Sequence, residues 1–341
     1  MKYSSSKTLA RILSALLIAA TVVAGLVVPS FDSDAPSSLE AFSTRQSTFA
    51  AVGENPGEAN SQRTAAGASS DIAPVAYTGK SAHRPQYSHK DLVFRSNTGR
   101  LRNAIVAMPV GVARKHKLPV LVAFHANTQS AASFEHGASL EASAARLNAI
   151  IVYPQGVGRA WEGPTYARTR RGEDVQFVKQ VLQRVSRDHA VDWNRIYTTG
   201  FSNGGAMALN MACQAPDLVA GAVGVTGAYY KPEFSRCKSG RVATMMIHQA
   251  GDQHMKIDGG SRNGMEYYSQ AGMLRELGKR AGCRPSQLRQ SHPARGVTVY
   301  QYSGCRTETK AIRVAGGWHR WETELIDVPA FVWSFLARQH K

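Results

Sequence analysis

The chain has 341 residues and is 43% apolar, enough for one large α/β domain with extensions or for two small domains. Its 41 Lys and Arg stand against 24 Asp and Glu, and the resulting formal charge of +17 favours anionic surfaces or polymers. No zinc-finger spacing, RNP motif or basic heptad region accompanies that charge. The densest run, Arg168-Thr169-Arg170-Arg171, reads as a solvated loop, so nucleic acid is not expected as a partner.

In chain order, Lys2, Lys7 and Arg11 precede an uncharged apolar run over residues 12–28. This is the pattern of a secretory signal, with Val22-Val23-Ala24 offering a small residue before a cleavage point. Export with cleavage is the first reading, and a membrane tether through residues 12–28 is the second. No cysteine follows the run, which excludes lipid attachment there. Residues 29–89 are rich in Ser, Ala, Thr, Gly and Pro without apolar periodicity and are expected to be a flexible linker. The folded domain is expected over residues 90–341.

Strands are expected at Leu92-Val93-Phe94 and at residues 104–110, paired around the turn Asn97-Thr98-Gly99. The continuous apolar runs 119–124 and 150–153 read as buried central strands. A helix is expected over 139–147. Another is expected over 174–188, with Val175, Val178, Val181, Leu182 and Val185 on one stripe. Further strands are expected at 195–199, 220–226, 243–247, 297–302 and 311–314, and helices at 206–212, 266–280 and 329–339. Strands alternating with helices imply an α/β fold: a mostly parallel, doubly wound sheet with helices on both faces.

Between one strand and the next helix lies Gly200-Phe201-Ser202-Asn203-Gly204. A serine at the centre of G-x-S-x-G in that context is the nucleophile elbow of α/β-hydrolases. The sharp turn needs small neighbours, and the following helix N-terminus favours negative charge. A serine hydroxyl needs a base, and this fold orders its partners as Ser, then Asp or Glu, then His. Asp252 follows the strand ending in Met246-Ile247, and His319 lies in the Gly-rich loop Gly316-Gly317-Trp318-His319. They are the expected acid and base, with Asp258 as rival acid and His248, His254 and His292 as rival bases. An oxyanion hole needs two backbone N–H donors. Asn203, after the nucleophile, supplies one. The loop His125-Ala126-Asn127 supplies the other, through Asn127 or alternatively Ala126. His125, Trp161 and Trp318 are candidate walls of a substrate pocket. No metal or organic cofactor is called for.

Cys213, Cys237, Cys283 and Cys305 agree with export. Four cysteines allow three pairings, of which Cys213–Cys237 with Cys283–Cys305 is the most local.

The chain resembles the secreted poly(3-hydroxybutyrate) depolymerase-like esterases of the α/β-hydrolase superfamily, neighbours of feruloyl and acetylxylan esterases. The resemblance rests on residues 124–130, 151–156, 191–208, 214–220, 251–260 and 316–321, and covers roughly residues 90–341. It implies a secreted serine esterase with Ser202, Asp252 and His319 as nucleophile, acid and base. It also implies the local cysteine pairing and an ester substrate that is polymeric in some relatives. A feruloyl or acetylxylan esterase, or a non-catalytic surface binding protein, is the alternative. Three departures surround the expected site: Ala126-Asn127 where the family has Gly-Cys, Gln249 where it has Gly, and Trp318 where it has Gly.

Overall fold

The computed structural model describes residues 86–96, 99–144 and 148–341. The expected signal or tether at 1–28 lies outside them, as do most of the linker and Asn97 and Thr98 of the first turn. No helix among the described residues is long and apolar enough to cross a membrane.

Ten strands form one sheet. They are β1 (Tyr87–Arg95), β2 (Leu101–Pro109), β3 (Leu118–Phe124), β4 (Ile150–Pro154), β5 (Val191–Phe201), β6 (Gly221–Val225), β7 (Ala243–Gln249), β10 (Leu288–Ala294), β11 (Val297–Tyr302) and β12 (Thr309–Val314). Their order is β1-β2-β4-β3-β5-β6-β7-β12-β11-β10. The six central strands run parallel, and antiparallel pairs close both edges. β3, β4, β6 and β7 are buried along their whole length, as strands covered on both faces must be.

Helices α3 (Glu173–Asp188), α4 (Asn203–Gln214) and α6 (Gln270–Ala281) contribute buried side chains to the core on one face. On the other face lie α1 (Ala131–Ala138), α2 (Leu140–Ala144) and α7 (Val328–Leu336). Both disulfides pair locally. Cys213–Cys237 ties the end of α4 to the segment after α5 (Lys231–Phe234), and Cys283–Cys305 ties the end of α6 to the β11–β12 connection.

Several expectations need correction. β1 begins at Tyr87, so residues 87–89 belong to it rather than to the linker. The helix expected from 266 starts at Gln270, because Met265–Tyr267 forms β9 and pairs with β8 (Gly260–Arg262). Ser269 then caps α6 by accepting the Gly272 N–H at 2.9 Å. β10 carried no sequence signal because all seven of its residues are exposed and no alternation results. It is an edge strand with a register shift between Ser291 and Ala294, which accommodates Pro293.

Candidate active site

Three loops at the C-terminal ends of parallel strands build the site. β5 runs straight into α4 through Ser202, whose φ of 55° and ψ of −118° are strained for a residue with a side chain. The flanking glycines make this turn possible. A Cβ on Gly200 would strike the backbone of Gly204, and one on Gly204 would strike the carbonyl oxygens of Phe124 and His125. The motif is therefore a packing constraint between the elbow and β3. Ser202 is 7% exposed.

His319 Nε2 lies 2.7 Å from Ser202 Oγ, and its Nδ1 lies 2.6 Å from Asp252 Oδ2. The carboxylate accepts the Nδ1–H, which leaves Nε2 free to accept the serine proton. Asp252 Oδ1 accepts the N–H groups of His254 and Met255 at 2.8 and 2.9 Å. Burial alone would raise the Asp252 carboxyl. The neighbouring His248, the hydrogen bond from His319 and that from the Met255 N–H outweigh it and hold the carboxyl well below the usual range.

The rival residues take other places. His248 is buried, with Nε2 2.7 Å from the Met255 carbonyl and 3.6 Å from Asp252 Oδ2, so it flanks the acid. His254 stacks on His319 with ring centres 4.6 Å apart, while Phe201 lies 5.0 Å from His319 on a tilted face. His292 sits on edge strand β10 with Gln290 and Thr298. Asp258 is exposed and bonds no histidine among the described residues.

Of the four successive N–H groups from Ala126 to Gln129, three are used inside the loop and its neighbours. Ala126 donates to Gln129 Oε1, Thr128 to the Arg159 carbonyl and Gln129 to the Ala126 carbonyl. The Asn127 N–H has no partner among the described residues. Asn203 is the first residue of α4, so its N–H precedes the first intrahelical acceptor. Its side chain is occupied by the Trp161 backbone: Oδ1 accepts the Trp161 N–H at 2.8 Å. Ala126 does not need glycine's freedom, since the positive φ in this loop falls on Thr128.

His125 and Trp161 are not pocket walls, because both are fully buried. His125 donates Nδ1–H to the Ala126 carbonyl at 2.7 Å, and its Nε2 accepts the Gly156 N–H at 3.0 Å. Burial drives its pKa down to about 4. Trp161 Nε1 donates to the His125 carbonyl at 2.8 Å. The two residues brace the Asn127 loop from behind. Trp318 is the expected wall residue that faces outward, at 68% exposed.

Gln249 had no assigned role in the sequence. Its Oε1 accepts the Trp318 N–H at 3.2 Å, and its Nε2 donates to the Arg320 and Glu322 carbonyls at 2.9 and 3.2 Å. These contacts join residues about 70 positions apart, so no local pattern announces them. His89, Glu135 and Glu141 form the one His and carboxylate group among the described residues close enough to share an ion. It lies on β1, α1 and α2.

Residues 103–253 match the family described as esterase PHB depolymerase. The putative esterase NocK of Nocardia uniformis subsp. tsuyamanensis is 30% identical over 156 residues, which is 45% of this chain and 45% of that protein. Feruloyl esterase D of Neurospora crassa is 28% identical over 175 residues, 50% of this chain and 53% of that protein. The chain thus spans about half the length of these curated relatives. In fold it is similar to the acetyl xylan esterase from Aspergillus awamori, with a TM-score of 0.57 at 15% identity over 73% of this chain and 99% of that one. Residues 103–253, a little under half of the chain, thus match the PHB depolymerase esterase family, and the fold is the α/β-hydrolase fold.

Proposed function

We propose that the protein is an exported serine esterase that hydrolyses carboxylic esters through an acyl-enzyme. The observation that carries this reading is the unbroken hydrogen-bond chain from Ser202 through His319 to Asp252. His319 takes the Ser202 proton as Oγ attacks the ester carbonyl, and Asp252 stabilises the imidazolium that forms. The oxyanion is held by the N–H groups of Asn203 and Asn127. His319 then gives its proton to the departing alcohol. Water, deprotonated by the same base, releases the acid. The two disulfides favour an oxidising compartment.

A polyhydroxybutyrate-type polyester is the first substrate reading, from the family matched by residues 103–253. A feruloyl ester is the second, from the similarity to feruloyl esterase D. The purified protein and Ser202→Ala are compared on p-nitrophenyl acetate and butyrate, and then on polyhydroxybutyrate and a feruloylated sugar. Hydrolysis lost in the variant supports the mechanism, and equal rates sink it. Release of hydroxybutyrate or of ferulate decides between the substrates.

A further inference from the structure

Arg262 is a cation that bonds the backbone of His254, the residue whose ring lies against His319. It closes strand β8 and is partly buried. Its Nη1 donates to the His254 carbonyl at 3.3 Å. A guanidinium carries five N–H donors, so most of its hydrogen-bonding capacity is unused. The ring of His254 lies against that of His319, which puts Arg262 one residue away from the proposed base.

Its charge reaches the groups around it. The pKa of His254 is lowered by burial first, then by the charges of His319 and Arg262. The phenols of Tyr166 and Tyr230 are raised by burial, while Arg262 pulls against that rise. Asn263, the next residue, donates from Nδ2 to the Tyr230 hydroxyl at 3.4 Å, and its carbonyl accepts from Thr165 Oγ1 at 3.2 Å. These bonds fix the tip of the β8–β9 hairpin over the segment that follows Trp161.

Asp252 and Glu266 are engaged elsewhere, and the exposed Asp258, four residues before Arg262, forms no ion pair with it among the described residues. Asp252 is bound to His319 at 2.6 Å, and Glu266, on the same hairpin, pairs with Lys231 at 3.0 Å. Glu233 is buried, which pushes its carboxyl well above the usual range and favours the neutral form. No ion pair of Arg262 exists among the described residues. A guanidinium with free donors can take a partner carboxylate with two parallel bonds.

We infer that Arg262 receives a carboxylate borne by the substrate, so that the site selects anionic esters over neutral esters of the same length. This rests on the esterase reading and narrows its substrate class. The chain's formal charge of +17 acts in the same direction by concentrating anionic esters near the protein.

The test uses two matched pairs followed by pH-stat in low and high salt. Ethyl hydrogen adipate against ethyl hexanoate places the carboxylate on the acyl side. m-Acetoxybenzoate against phenyl acetate places it on the alcohol side. In at least one pair the anionic ester is expected to show kcat/KM higher by about tenfold, since hydrogen bonds to charged groups are the strong ones. That ratio should shrink as salt rises. Arg262→Ala should bring the ratio towards one, and Arg262→Lys should restore part of it. Turnover of the neutral esters with no anionic preference in either pair overturns the inference while leaving the esterase reading intact. A preference that survives Arg262→Ala also overturns it. Turnover of none of the four esters sinks the esterase reading and this inference together. Should Arg262→Ala fail to fold, Arg262→Lys and the salt dependence of the unaltered protein decide the matter.

Discussion

Gln249 Oε1 accepts the backbone N–H of Trp318 at 3.2 Å, across the gap between the loop carrying Asp252 and the loop carrying His319. The same side chain donates to the carbonyls of Arg320 and Glu322, so it grips the peptide on both sides of His319. The Gly251 N–H adds a bond to the Gly316 carbonyl at 2.7 Å. Gln249 and Trp318 are therefore one structural unit.

Gln249→Ala should lower kcat by about 10²-fold with little change in KM, the scale expected when a catalytic group is displaced by about 1 Å. The labelling rate of Ser202 by a fluorophosphonate should fall in parallel. A variant with unaltered kcat would show that the grip does not position His319.

His125 makes stability depend on pH. Its folded pKa of about 4 lies below its ordinary value of 6.5. Between these values the unfolded chain binds a proton that the folded chain refuses, so stability is full above about 6.5 and is lost as pH falls towards about 4. The shift corresponds to a loss on the order of 3 kcal/mol. Urea denaturation across this window should show the slope, and His125→Asn should flatten it. Asp252, also depressed, acts in a lower window, below its ordinary value of 3.8.

Each disulfide closes a loop of similar span, with cysteines 24 and 22 positions apart. Replacing Cys213 and Cys237 together by alanine should cost about 3 kcal/mol in the chain-entropy account, and Cys283 with Cys305 about the same. Chemical denaturation of the two double variants checks both values. A loss below about 1 kcal/mol would mean that the reduced, unfolded chain retains structure that already limits its freedom.

The ion pair Arg102–Asp174, at 2.7 Å, is almost wholly shielded from water. Asp174 also accepts from the Glu162 N–H and from Thr169 Oγ1, each at 2.7 Å, and so anchors the segment after Trp161. Arg102→Met leaves a buried carboxylate without its cation and should cost about 3–5 kcal/mol. Changing Arg102 and Asp174 together to apolar residues should cost less than Arg102→Met alone. A double variant less stable than the single would contradict this assignment.

The elbow was legible because its constraint is local. Gly200 and Gly204 exclude side chains for reasons that lie within five residues and one neighbouring strand. The order of Asp252 and His319 follows from the parallel sheet, which brings the ends of β5, β7 and β12 to one edge. Residue type alone could not tell which side of a loop faces the substrate. His125 and Trp161 have the chemistry of pocket walls but are bound from behind by Gly156, Asn203 and each other. The β8–β9 hairpin was hidden because three-residue strands show no periodicity. Tyr267 of that hairpin bridges to Tyr230, a contact between residues far apart in the chain.

The most direct test of the central claim is to treat the protein with a fluorophosphonate and map the adduct by peptide mass spectrometry. The proposed mechanism predicts one adduct, on Ser202, with labelling greatly slowed in His319→Ala and absent in Ser202→Ala. An unlabelled Ser202 in folded protein, or an adduct that persists in Ser202→Ala, would contradict it.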